Sequence, residues 1–338
     1  MITPVGLNTE MTVASVKAGV SGYQDSVYFN KKDKPMKAAW VPDDALPTLD
    51  SELESVALNG DVKRMIRLCN AGLNELASKV SLEVPFPLVL AGPENIPARS
   101  TPITGDIIQH ISTQSKIEFD LESSRFAGTG RAGVLEAINY AFKYLAEAGN
   151  EYILVGGVDT YANAGLLSLL DSENRILAVN VSDGFTPGEA ASFMLLSKQY
   201  HQSFLPVALS PPGISKETGF LYSEDSPYRG DGLADAFKNS LINGGNKKID
   251  KIYSSMNGEN FFVKEFGVAL LRNSAGINQE HAVIHPADCY GDLGAATGGV
   301  LTTLAALDFA NVKDKLSSYI VCCSSDLEKR AAICLSPI

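Results

Sequence analysis

FAGTGRAGVLEAI, residues 126–138, crowds small residues into one turn and then spaces apolar residues at helical intervals through Val134, Leu135 and Ile138. That is the pattern of a tight turn entering a buried helix, and it has the shape of a nucleophile-bearing turn. The stretch contains neither cysteine nor serine.

On both sides of this turn, β-like runs alternate with helical patterns. FPLVLAG (86–92) reads as a buried strand, RAGVLEAINYAFKYLAEAG (131–149) as an amphipathic helix, and EYILVGGVDTY (151–161) as a second strand. Helical ANAGLLSLLDSE (162–173), the loop SDGFTPGEA (182–190) and the strand ASFMLLSK (191–198) follow. Residues 201–230 are rich in proline and glycine and read as a connection between a half spanning 1–200 and a half spanning 231–338. After it the alternation restarts with the helix LADAFKNSLINGG (233–245), the strand KIDKIYSSM (248–256) and helical FFVKEFGVALLRN (261–273). It ends with the glycine-rich GDLGAATGGVLTTLAALDFA (291–310) between strands HAVIHP (281–286), SSYIVCC (317–323) and AAICLSP (331–337). The order is that of an α/β protein with buried sheets. Each half places a small-residue turn and a buried helix beside strands, as an internal duplication would.

Composition narrows the function classes. A chain of 338 residues with 45% hydrophobic content can bury a sizeable core. Its net charge of −11 argues against a phosphate-backbone partner, which needs clustered Lys and Arg. No apolar run reaches the ~18 residues that span a bilayer. MITPVGLNTE lacks the regions of a signal peptide, so the expected location is the cytoplasm. The five cysteines include no CxxC pair, which indicates neither a disulfide framework nor a zinc site, and no metal or cofactor is expected.

Four segments carry a resemblance to the β-ketoacyl synthase branch of the thiolase-fold superfamily. TPVGLNTEMTVASVKAGVSGY (3–23) is similar to that family's "TPLG … aGxSG" segment, and VGGVDTYANAGLL (155–167) to its "aGGxe" strand and following helix. DGFTPGEAASFMLL (183–196) resembles "dGFvxGEGAaxlvL", and GDLGAATGG (291–299) resembles "GHxxGAAG". The resemblance implies a thiolase fold: two pseudo-symmetric βαβ halves forming a layered α-β-α-β-α core. It also implies an apolar strand ahead of MITPVG, central in the first sheet, which this chain either lacks or has lost to a late start.

The family's chemistry uses a Cys at a helix N-terminus, where the dipole and backbone N–H groups favour thiolate and bind the oxyanion, and two His residues. Carried over onto this chain, the Cys position falls on Ala127, or on Phe126 if the register slips by one. Asn257 in SMNGENFFVKEFG stands for the first His and Asp292 for the second, and the Lys usual five residues before it is Ala287. The "GFGG" loop is replaced by CCSSDLEKR (322–330). Of the remaining candidates, Thr129 carries a hydroxyl beside the turn, and HPADCYGD (285–292) gathers His285, Asp288, Cys289 and Asp292. Cys289 is either a rival nucleophile or a buried thiol before a glycine turn. Arg125 and Arg131 either face an acidic carrier or carboxylate ligand, or pair with acidic side chains such as Glu122. Asn257, Gly258 and Glu259 form either a turn or a recognition element.

Two function classes follow. One is a divergent acyltransferase taking acyl groups from carrier protein or coenzyme A with a non-standard nucleophile. The other, which the joint loss of Cys and both His favours, is a catalytically degenerate pseudoenzyme that binds or assembles. Degenerate relatives include chain-length factors that pair with an active ketosynthase and stand-alone accessory proteins of type VI secretion cargo. MTVASVKAGVSGY, KPMKAAWVP and NGENFFVKEFG resemble the stand-alone kind, which implies an adaptor for a secreted effector. Thiolase folds dimerise through an edge strand near the nucleophile turn, so a homodimer is expected, or a heterodimer under the chain-length-factor reading.

Overall fold

The computed structural model describes residues 1–80, 85–99, 103–202, 204–310 and 317–338. Among them, ten α-helices run α1 (Thr9–Lys17), α2 (Ser51–Glu54), α3 (Gly60–Ala77), α4 (Ile107–Ser115), α5 (Gly133–Ala146), α6 (Ala164–Ser172), α7 (Asp231–Asn243), α8 (Asn260–Arg272), α9 (Ala287–Tyr290) and α10 (Thr297–Phe309). Strands β1 (Gln24–Phe29) and β2 (Pro35–Ala38) form a hairpin whose inner face packs Tyr28 and Met36 against Leu166, Leu170 and Phe185.

Two larger sheets share one topology. The first joins β3 (Leu88–Ala91), β4 (Arg125–Ala127), β5 (Tyr152–Thr160) and β6 (Glu189–Ser197) in the order β4-β3-β5-β6. The second joins β7 (Val207–Leu209), β8 (Gly213–Lys216), β9 (Ile249–Ser254), β10 (Ile277–Ile284), β11 (Tyr319–Ser324) and β12 (Lys329–Pro337). Its order is β10-β9-β11-β12-β7, with β8 also on β12. In each sheet the second strand is parallel to both neighbours and the fourth is antiparallel to the third. With α6 in the first half and the short α9 in the second set aside, the element order α-β-α-β-α-β-β recurs as well, so the two halves are pseudo-symmetric.

The layers follow from which faces are apolar. On α3, Met65, Ile66, Cys69 and Leu73 recur at helical spacing and are buried, so this helix covers one face of the first sheet with α4 beside it. Helices α7 and α8 cover the far face of the second sheet. Between the sheets lie α5 and α10, and most of α10 is buried because Val300, Leu301, Leu304 and Ala305 are wrapped by both sheets. The result is the expected α-β-α-β-α sandwich.

Two details differ from the sequence reading. The stretch 201–230 is not only a connection, since it contributes β7 and β8 to the second sheet. The strand that the resemblance puts at the centre of the first sheet matches, by the shared topology, the outer edge beyond β6. There Ile2 makes one antiparallel bridge to Ala191, in the place that β7 and β8 take on β12.

Candidate functional site

Each half sends one strand through a glycine turn into its central helix. Gly130, at φ +65°, opens the 3-10 turn that leads into α5, and Gly294, at φ +51°, opens the matching turn into α10. Left-handed backbone favours glycine, and space demands it as well. A Cβ on Gly130 would lie 2.5 Å from the side chain of Glu94, and one on Gly294 would overlap the carboxylate of Asp159.

The two turns meet over a buried charge network. Arg131, 3% exposed, pairs through Nη1 with Asp292 at 2.5 Å and through Nη2 with Asp326, donates from Nε to Ser324 O at 2.7 Å, and stacks on Phe262. Arg175 grips Glu259 with two bonds of 2.8 Å and reaches Asp326 at 2.8 Å. Asn257 donates to both Glu259 and Asp292, at 2.9 and 2.8 Å. Asp292 also accepts Gly294 N–H at 2.8 Å, which caps the turn into α10. Glu94 accepts the N–H groups of Asp326 and Leu327 at 2.8 and 3.2 Å. Arg99 pairs with Asp159, which accepts Ala295 N–H. Glu94, Arg99, Arg131, Asp159 and Arg175 come from the first half, and Asn257, Glu259, Asp292 and Asp326 from the second.

Five carboxylates therefore face three guanidinium groups in a nearly dry interior. Burial pushes Glu94 from 4.5 to about 8, helped by the charge of Asp326, so it keeps its proton at neutral pH. Burial likewise raises Asp159 to about 6 against the pull of Arg99, and raises Glu259. Burial alone would raise Asp326 too, but Arg131 and Arg175 hold it well below the usual carboxylate range. With Glu94 neutral, four negative groups oppose three positive ones, and the N-termini of α5 and α10, worth roughly +0.5 charge each, offset the remainder.

Glu94 sets a pH dependence with a definite sign. Its bound proton stabilises the fold fully below pH 4.5, and that contribution is lost as pH rises toward about 8, at roughly 1.4 kcal/mol per pH unit for one proton. Glu94→Gln removes the titrating group at the cost of the longer of its two accepted bonds. Its unfolding free energy should therefore fall less between pH 5 and pH 8 than the wild type's; parallel curves would refute this.

The sequence candidates are dispersed. Asn257, Glu259, Asp292 and Arg131 come together in the network; Arg131 is buried, not turned toward a carrier. Ala127 ends β4 and does not sit on the turn, and Phe126 packs its ring under Gly92 and into the core outside the first sheet. The turn residue itself is Gly130. The hydroxyl of Thr129 is buried and has no hydrogen-bond partner among the described residues. Arg125 is exposed, bonded to the backbone carbonyls of Glu122 and Ser124. The cluster 285–292 splits three ways: His285 pairs with Asp288 at the surface (3.4 Å), Asp292 joins the network, and Cys289 is buried with its thiol pushed up by burial. Sequence reading missed Glu94, Arg99, Asp159, Arg175 and Asp326. Two of them lay in stretches already singled out: Asp159 in VGGVDTYANAGLL and Asp326 in CCSSDLEKR, where Ser325 also ties the turn of α5 to the second half through Thr129 O and Ala132 N–H. Among the described residues no group of His, Cys, Asp and Glu is arranged to hold a metal ion, and no helix is long and apolar enough to cross a membrane.

No family model matches this chain, and no curated protein matches it in sequence. Solved structures do. The chain is similar to the ishigamide ketosynthase/chain length factor at 14% identity, covering 100% of this chain and 97% of that one with a TM-score of 0.75. It is similar to the ketosynthase ApeO in complex with its chain length factor ApeC from Xenorhabdus doucetiae at 15% identity, covering 99% and 96%, with a TM-score of 0.75. It is similar to the module 6 ketosynthase of the bacillaene synthase from Bacillus subtilis 168 at 12% identity, covering 99% and 70%, with a TM-score of 0.76. The fold of this chain is thus the mixed α/β, thiolase-like fold of the ketosynthases.

Proposed function

We propose that this protein is a ketosynthase-fold scaffold that has given up condensation and works by binding another protein. One observation carries the reading. The turn into α5 presents Gly130, which has no side chain, and Asn257 and Asp292, which stand at the family's two His positions, are consumed in a buried network with Arg131 and Glu259. Condensation needs a nucleophile and free polarising groups in one accessible pocket. Here Arg131, Arg175, Phe262 and Asp326 are packed against one another in the same buried network.

The same network rivets the two halves together, which suits a rigid platform. Two of the similar structures are ketosynthases with chain length factors, and another contains an acyl-carrier protein with its ketosynthase, so surfaces of this fold support protein partners. An adaptor for a secreted effector is the partner class that the sequence resemblance favours. Self-association through β4 is part of the proposal, because among the described residues β4 pairs with β3 alone and exposes Arg125 at the edge of the first sheet. The alternative, an acyltransferase built on Cys289, requires a thiolate where burial holds the thiol neutral.

Light scattering at micromolar concentration tests the assembly half of the reading: twice the chain mass is expected, and a clean monomer would remove the β4 interface. Release of carbon dioxide from malonyl-coenzyme A tests the other half. It should stay at background, and turnover at the level of an active ketosynthase would restore the enzyme reading.

A further inference from the structure

We propose that the outer face of the β1–β2 hairpin docks a segment of another protein that carries a large apolar side chain among acidic ones. The inner face is already taken: Tyr28 and Met36 pack on Leu166, Leu170 and Phe185, and Tyr28 meets Trp40 edge-on at 6.4 Å. Just beyond β2, Ala39 N–H donates to Pro187 O at 2.8 Å. At the tip, Lys31 donates its backbone N–H to the buried carboxylate of Asp171 at 2.6 Å, and its Nζ to Asp171 O at 3.0 Å and Asn174 Oδ1 at 2.6 Å. The hairpin is thus clamped from behind and at its tip, and whatever stands on the outer face is held in a fixed position.

That face is apolar at its centre. Val27 is 84% exposed and Phe29 62%, and Phe29 lies opposite the exposed Pro35 in the register of the two strands. Single exposed apolar residues are ordinary, but three side by side on a fixed ribbon have the make-up of an interface centre. The pairing shifts between Asp25 and Phe29, and Ser26 Oγ accepts Tyr28 N–H at 3.2 Å, so the outer edge of β1 is kinked there and presents its side chains to a partner in preference to a strand ladder.

Charge decides what docks. At one end of the apolar strip Asp25 and Lys37 pair at 2.7 Å and cancel. At the other stand Lys31, Lys32 and Lys34 with Asp33, and Lys32 and Lys34 are exposed and without an ion pair among the described residues. Even with the buried Asp171 counted against Lys31, this end stays positive on a chain whose net charge is −11. A symmetric contact between two copies would bring the same lysines together, whereas acidic residues around an apolar anchor match both features of the face.

Selection of random displayed peptides on the full chain, followed by fluorescence anisotropy of the enriched ones, tests this. Enriched peptides should carry Asp or Glu around an aromatic or aliphatic residue, although a chain of net charge −11 repels acidic peptides elsewhere. Their affinity should fall about tenfold in the double variant Val27→Ser, Phe29→Ser, and several-fold in Lys32→Glu, Lys34→Glu or at raised salt. All four side chains are exposed, so both variants should keep the wild-type Tm. No enrichment, enrichment without an acidic bias, or equal binding by the variants would overturn the proposal. So would a fall from dimer to monomer in light scattering of Val27→Ser, Phe29→Ser, which would make the face a contact between copies of this chain. The surface serves the binding role proposed above, which release of carbon dioxide from malonyl-coenzyme A tests independently of the hairpin, so the two readings fail separately.

Discussion

Replacing Asp326 by alanine should cost about 3–5 kcal/mol of unfolding free energy, the range for removing one partner from a buried ion network. Asp326 is 4% exposed and holds both Arg131 and Arg175, so its loss leaves two guanidinium groups facing a dry interior with one carboxylate fewer. It also frees no water-accessible path for them, because Phe262 and Phe185 cover the two arginines. The sign of the pH effect is opposite to that of Glu94. The depressed Asp326 stabilises the fold above its ordinary value of 3.8 and loses that contribution as pH falls. Urea unfolding at pH 7 and at about pH 2.5, below the ordinary value, should therefore show a smaller penalty for Asp326→Ala at the lower pH. A penalty below about 1 kcal/mol at pH 7, the size of an exposed pair, would mean that the network is solvated.

Gly294→Ala should cost about 3 kcal/mol, combining roughly 1–2 for a side chain in left-handed backbone with roughly 1–3 for overpacking. The new Cβ would overlap the Asp159 carboxylate, which cannot retreat because it accepts Ala295 N–H and pairs with Arg99. Gly19→Ala is the control. Gly19 has nearly the same backbone, φ +66°, with open space around it, so only the conformational part of the cost should appear. Equal losses in the two variants, read from the midpoints of urea unfolding, would show that the contact with Asp159 carries no energy.

Most of the fold was legible in the sequence because the central elements obey simple periodicities. The buried strands read as continuous apolar runs, as in YILVGGV and YIVCC, and the helices between them read from their apolar spacing. The glycine turns in front of α5 and α10 were visible as clusters of small residues, and they are the positions that fix the pseudo-symmetry. The hairpin β1–β2 was not read. Its outer face carries Val27 and Phe29, exposed apolar residues that blur the two-residue alternation. The strands β7 and β8 were hidden for another reason: three or four residues beside prolines are too short to show a period.

The site was half legible. Asn257, Asp292 and Arg131 could be singled out because motifs framed them, and the structure brings them together with Glu259. Their partners could not, since Glu94, Asp159, Arg175 and Asp326 approach from segments far apart in the chain, and a single charged residue in an apolar context says nothing of what it meets. The position of Gly130 shows the same limit. The number of residues spent between the strand and the helix is a backbone property, so the turn residue lay three positions beyond Ala127.

Intact-mass measurement of the folded protein after incubation with a panel of acyl-coenzyme A thioesters, and separately with the ketosynthase inhibitor cerulenin, addresses the loss of condensing chemistry most directly. All five cysteines are buried, and burial raises the thiols of Cys69, Cys289, Cys322, Cys323 and Cys334, so the mass should remain that of the unmodified chain. A stoichiometric acyl adduct mapped to a single residue, Cys289 above all, would mean instead that the nucleophile has moved and that the fold still transfers acyl groups.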